Sequence, residues 1–178
     1  MLSDWGLPLK VNRLQLQWTL PLELQNKTAL VTGASKGVGK GIALELARNG
    51  CDLIVNYHSD IAGAEATIRE VKALGRKAVA IQANVGVAAE VDALFESAGS
   101  IDILVNNAGV QTWKPLLDLE EAEWDRTIDT NLKGCFLCTQ RAGRVMKAWG
   151  RQDRQHRFRL QQARVSESGR LHGKQRRH

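Results

Sequence analysis

Apolar residues fall into four short runs between residues 24 and 110, each closed by small or polar residues. They read "TALVTG", "CDLIVNY", "KAVAIQANV" and "IDILVNNAG", rich in β-branched residues and too short for helices. Between them lie stretches of helical length. In "KGIALELARNG" the apolar Ile42, Leu44, Leu46 and Ala47 are followed by Gly50, a helix terminator. Further helices are predicted at about 61–74, ended by Gly75, at about 87–98, and over a long span at about 120–147. Strands alternating with helices at this spacing demand parallel strands joined by right-handed crossovers, so the fold class is α/β with a doubly wound sheet.

The chain ends do not share this pattern. Residues 1–23 carry Trp5, Pro8, Trp18 and Pro21 without a sustained period and are expected to form a loosely ordered extension. Residues 24–150 form the expected domain, one unit being the prior for 178 residues that are 43% hydrophobic. Residues 151–178 hold nine Lys or Arg against Asp153 and Glu167, so the net charge of +6 belongs to this tail, and residues 1–150 sit near −1. The basic pI therefore says nothing about what the folded part binds. The tail reads as a disordered basic extension. Its aromatics stop at Phe158 and it shows no nucleic-acid-binding motif, so weak salt-sensitive adhesion is expected and specific nucleic-acid binding is not.

Three cysteines, Cys51, Cys135 and Cys138, fit a reduced compartment better than a disulfide scaffold. No run approaches a membrane span, and "MLSDWGLPLK" lacks the basic start and apolar core of a signal peptide. A soluble, cytoplasmic protein without membrane partners is expected. Cys135 and Cys138 form a C-x-x-C, but with no second pair, and with Phe136 and Leu137 beside them, both are expected to pack in the core. No metal site is expected.

Candidate chemistry begins at "VTGASKGVGKG", where the first strand meets the first helix. Glycines there permit a sharp turn and let a diphosphate approach the amides opening the helix, whose dipole favours anions. A tight turn alone would also select glycine.

Three patterns in order resemble the short-chain dehydrogenase/reductase family. Its cofactor turn, T-G-x-x-x-G-x-G, is matched by Thr32, Gly33, Ala34, Ser35, Lys36, Gly37, Val38 and Gly39. Its N-N-A-G is matched by Asn106, Asn107, Ala108 and Gly109, and the asparagine of its N-x-x-G by Asn131 with Gly134. The resemblance covers about residues 24–150, roughly the first half of a typical member, and is nearest to members such as 3-oxoacyl-ACP reductase and glucose dehydrogenase. It implies a Rossmann-type doubly wound parallel sheet, here truncated after about four strands. It also implies a nicotinamide cofactor, a small-molecule carbonyl or alcohol substrate, and full-length relatives that are homo-oligomers.

Within that resemblance, the turn residues Thr32, Gly33, Ser35, Lys36, Gly37, Val38 and Gly39 hold the cofactor's diphosphate. At the end of the second strand, Tyr57 stands where NAD-dependent members place an acid, followed by His58 and Ser59. With Lys36 nearby this favours NADP(H) over NAD(H), although Lys36 also reads as a solvated turn lysine. Asn84 and Val85 occupy the place beside the adenine, where an amide can serve as both donor and acceptor. Asn107, Ala108 and Gly109 line the nicotinamide end, or simply turn the chain after a buried strand. Asn131 supports the family's proton relay, or is an ordinary helix asparagine. Trp113 and Trp124 shape the mouth of the pocket or merely pack.

The family's Ser-Tyr-Lys set is missing. Tyr57 is the only tyrosine, and it lies in the second strand. The tail can nevertheless be back-translated with permitted codons so that a reading one base later gives "RIVNIGS", a fifth strand, and then Y-T-A-S-K, the missing set in family order. Trp149 and Gly150 are encoded by TGGGGN, a run of G where an extra base is easily gained. A frameshift near residue 150 is therefore expected, leaving the chain inactive although its lineage is an NADP(H)-dependent oxidoreductase. The alternative is a catalytically dead nucleotide-binding or interaction module. In either case "IDILVNN" is expected at an exposed sheet edge.

Overall fold

The computed structural model describes residues 24–150, with side chains through Met146. The expectations for residues 1–23 and 151–178 lie outside the described residues. In chain order the elements are β1 (Thr28–Val31), α1 (Gly37–Arg48), β2 (Asp52–Tyr57), α2 (Ile61–Ala73), β3 (Ala78–Gln82), α3 (Ala88–Ala98) and β4 (Ile103–Val105). A 3-10 turn, Leu116–Asp118, then leads to α4 (Glu121–Ile128), a π-helical turn, Asp129–Lys133, and α5 (Gly134–Gly150).

All four strands are parallel, in the order β3-β2-β1-β4. The expected α/β class and the truncated Rossmann-type sheet are thus observed among the described residues. The two-residue period of each strand divides its side chains between two cores. Ala29 and Val31 of β1, with Leu53, Val55 and Tyr57 of β2, face Ala43 and Ala47 of α1 and Ala64 and Val71 of α2. Leu30 and Ile54 face the opposite way, against Val91, Leu94 and Phe95 of α3 and Leu137, Cys138, Ala142 and Met146 of α5. Among the described residues β4 is the edge strand on the β1 side, and its three residues are partly buried rather than exposed, because they pack against the two cores.

Two sequence expectations need correction. The long helix is not uniform: a π turn separates α4 from α5, adding a residue to the turn that carries Asn131. The two cysteines do not share an environment. Cys138 and Leu137 are buried, whereas Cys135 and Phe136 are exposed. The buried stripe of α5 runs through Cys138, Ala142 and Met146 at four-residue spacing, and Cys135 lies at the helix start, where no described element covers it.

Candidate nucleotide-binding site

The site is built where the C-terminal ends of β1, β2 and β4 meet the start of α1. Gly33 and Gly37 take φ of +62° and +58°, a region that side chains disfavour, so the turn requires glycine at both. Gly39 meets a different constraint. It is buried, and a Cβ there would run into the Asn107 side-chain amide and the Gly33 carbonyl.

Thr32 ties this turn to β4. Its hydroxyl donates to the Val105 carbonyl at 3.3 Å and accepts from the Asn107 and Ala108 amides at 2.9 and 3.0 Å. Asn107 returns the connection: its Nδ2 donates to the Thr32 and Gly33 carbonyls at 2.9 and 3.1 Å. The N-N-A-G segment therefore shapes the glycine turn directly, and the Asn107 amide group is spent on that task.

On the other flank a residue that sequence reasoning missed does comparable work. Asn56 is 1% exposed, and its Oδ1 accepts from the Gly33 amide at 3.3 Å. Its one signal in the sequence was an amide side chain inside the apolar run "DLIVNY". The hydroxyl of Thr67 in α2, also buried, lies within donating distance of three carbonyls, Gly63 at 3.0 Å, Ala34 at 3.1 Å and Ser35 at 3.3 Å, among which its one proton is shared.

Held from both sides, the turn presents its outer surface to solvent. Lys36, at the N-cap, and Val38 are exposed, and Ser35 is buried. No side chain caps α1, and its first turn contains no acid. Helix-opening amides lacking a capping side chain are a ready anion site. At the end of β2, Tyr57 is buried in the core while His58 and Ser59 are exposed. The next carboxylate, Asp60, caps α2 by accepting from the Gly63 amide at 3.0 Å. Past β3, the Asn84 Oδ1 accepts from the Gly86 amide at 3.0 Å and Val85 is buried.

Asn131, in the π turn, forms a two-point clasp with the loop after N-N-A-G. Its Oδ1 accepts from the Val110 amide at 2.8 Å, and its Nδ2 donates to the Val110 carbonyl at 2.9 Å. A hollow of about 600 Å³ lies beside this clasp, lined by Gly109, Val110, Gln111, Thr112, Leu119, Trp124, Thr127 and Asn131. A smaller one of about 80 Å³ touches Thr32, Val85, Asn106, Ala108, Thr130, Asn131, Gly134 and Cys135. Asn131 borders both. Trp124 therefore lines the hollow, whereas Trp113, 86% exposed, does not. Near this rim Lys114 donates to Glu123 at 2.8 Å. That bond, helped by the Glu120 amide, holds the Glu123 carboxyl below the usual carboxylate range. No group of three or more His, Cys, Asp or Glu suited to a metal occurs among the described residues.

The glycine turn, the N-N-A-G segment and the Asn131 helix are thus one connected assembly, in the order the three sequence patterns have along the chain. The short chain dehydrogenase family model matches residues 27–154. The chain belongs to that family. As a short chain dehydrogenase it is 51% identical over 120 residues to the 3-oxoacyl-(acyl-carrier-protein) reductase FabG of Staphylococcus aureus, a match covering 65% of this chain and 49% of that protein. The fold is similar to that of a short chain dehydrogenase from Burkholderia cenocepacia solved in complex with NADP. The TM-score is 0.65 at 39% identity, covering 70% of this chain and 52% of that one. It is also similar to a blue fluorescent protein from a metagenomic library solved with NADPH, with a TM-score of 0.66 at 37% identity, covering 70% and 53% of the two chains. The chain spans about half the length of the curated relatives it matches.

Proposed function

We propose that this chain binds NADP(H) and derives from an oxidoreductase that interconverts a small-molecule carbonyl and alcohol, but does not itself turn over. The observation that carries this reading is the uncapped, acid-free start of α1 behind a glycine turn braced on both flanks. The open space at Gly37 admits a diphosphate against the amides of Ser35 through Gly39. Lys36, His58 and Ser59 would face a ribose 2′-phosphate, with Asp60 already engaged as a cap. Asn84 and Val85 would flank the adenine. Ala108 and Gly109 would border the nicotinamide, which when bound supplies a hydride at its C4 position. Asn107 contributes through the shape of the turn. NADP and NADPH in the two solved relatives support the same choice of cofactor.

Asn131 is placed to orient a water or a substrate polar group at the hollow it borders. Among the described residues none takes the part of the proton donor: Tyr57, the only tyrosine in the sequence, is buried in the β2 core. We assign the loss to a frameshift at the G run encoding Trp149 and Gly150, which makes 24–150 a partial nucleotide-binding domain and 151–178 an out-of-frame tail. The second reading, a nucleotide-binding module without catalysis, is favoured by the same buried tyrosine.

Fluorescence titration with NADPH and NADH, followed by a carbonyl-reductase assay, tests the proposal. NADPH is expected to bind more tightly than NADH, with no turnover, and turnover is expected once one base is removed from the G run. Turnover by the 178-residue chain, or tighter binding of NADH, would refute it. An uninterrupted frame in an expressed gene would refute the frameshift.

A further inference from the structure

Asn56 stands out on energetic grounds. A strand buried on both faces selects apolar residues, and an amide placed there costs stability unless every polar atom is satisfied. Here it is satisfied, and its partners lie on two separate segments. Its Oδ1 accepts from the Gly33 amide at 3.3 Å, and its own carbonyl accepts from the Ala34 amide at 2.9 Å. Its Nδ2 donates to the Ala83 carbonyl at 3.1 Å and the Ile81 carbonyl at 3.3 Å. Ala83 immediately precedes Asn84 and Val85. One side chain therefore joins the phosphate turn to the end of β3.

We infer that Asn56 is a positioning residue that fixes the diphosphate turn relative to the adenine-side segment, so that the diphosphate and the adenine end of a dinucleotide are held at a set separation. The inference rests on the nucleotide-binding reading above. An apolar residue at this position would suit the sheet equally well but would leave the Gly33 amide and the Ala83 carbonyl without this link. The role is indirect, because Asn56 is enclosed by protein and offers no surface to a ligand.

Asn56→Val tests it, since valine matches the neighbouring strand residues, with Asn56→Ala as the second variant and Leu94→Ala, in the core beneath α3, as the control for lost stability alone. Two quantities are measured in the full chain, well below each variant's melting temperature: NADPH affinity, and hydrogen exchange at the Gly33 and Ala34 amides without nucleotide. Both Asn56 variants are expected to weaken NADPH binding roughly tenfold and to speed exchange at those two amides. Leu94→Ala is expected to lower the melting temperature and leave both readings unchanged. Wild-type affinity together with wild-type exchange in the Asn56 variants would overturn the inference. A wild-type chain that fails to bind NADPH would refute the nucleotide-binding reading instead, and exchange at Gly33 and Ala34 would still decide whether Asn56 holds the turn.

Discussion

Gly39 shows how little room the turn has for a single added carbon. A methyl there meets the Asn107 amide and the Gly33 carbonyl, so one of them must move. Gly39→Ala is expected to cost about 1–3 kcal/mol in a thermal or denaturant melt, the usual range for overpacking. NADPH affinity should fall at least tenfold with it, read by titration of folded protein. The cysteines make a second residue-scale case. Burial pushes the Cys138 thiol up to about 11, and raises Cys51 too, while Cys135 is exposed. Iodoacetamide at pH 8 should modify Cys135 in the native protein and leave Cys51 and Cys138 intact, as peptide mass spectrometry would show. The pH sign follows. Unfolded Cys138 gives up its proton near 9 and folded Cys138 near 11, so its contribution is whole below pH 9 and is lost as pH rises toward 11. Asn56 and these thiols also mark the limit of sequence reading at this scale. A single amide inside an apolar run carries no sign of what it bonds, and a C-x-x-C has no sign that tells which sulfur faces out.

Among the elements, the strands and the first three helices were legible because each consists of one pattern with clear punctuation. The break in the long helix was not. A π turn inserts one residue and shifts the helical phase by about 100°, but α4 has no buried residue to set a phase before it; the turn carries Asn131, which bonds both backbone groups of Val110. The resemblance pointed to Asn131, but not to this clasp. Asn131→Leu should therefore release the loop after N-N-A-G. Faster exchange at the Val110 amide is expected with little change in melting temperature, because the clasp is exposed and the core of α5 lies elsewhere. An unchanged Val110 amide would show that the loop is held by other contacts.

At the scale of the described residues, the parallel order β3-β2-β1-β4 leaves β4 at an edge, and the 3-10 turn before α4 and the α4–α5 junction expose large apolar groups. Leu117 is 96% exposed, Leu132 65% and Phe136 59%. Such surface promotes association. Light scattering is expected to rise with concentration, and the double substitution Leu132→Glu with Phe136→Glu to reduce it. Fold class and edge position were legible from the spacing of runs, since crossover rules leave few arrangements for four parallel strands. The two hollows beside Asn131 were not, because they depend on how the loop after β4 lies against the π turn.

The bonds between Asn107 and Thr32 join positions 75 apart in the chain. During synthesis the glycine turn therefore leaves the ribosome long before the residue that completes its shape. Arrested nascent chains ending before Asn107 is exposed should be unable to retain NADPH, and those that present Ala108 outside the exit tunnel should capture it. On the nucleotide-binding reading, competence would then arrive in one step, once residue 108 has left the tunnel.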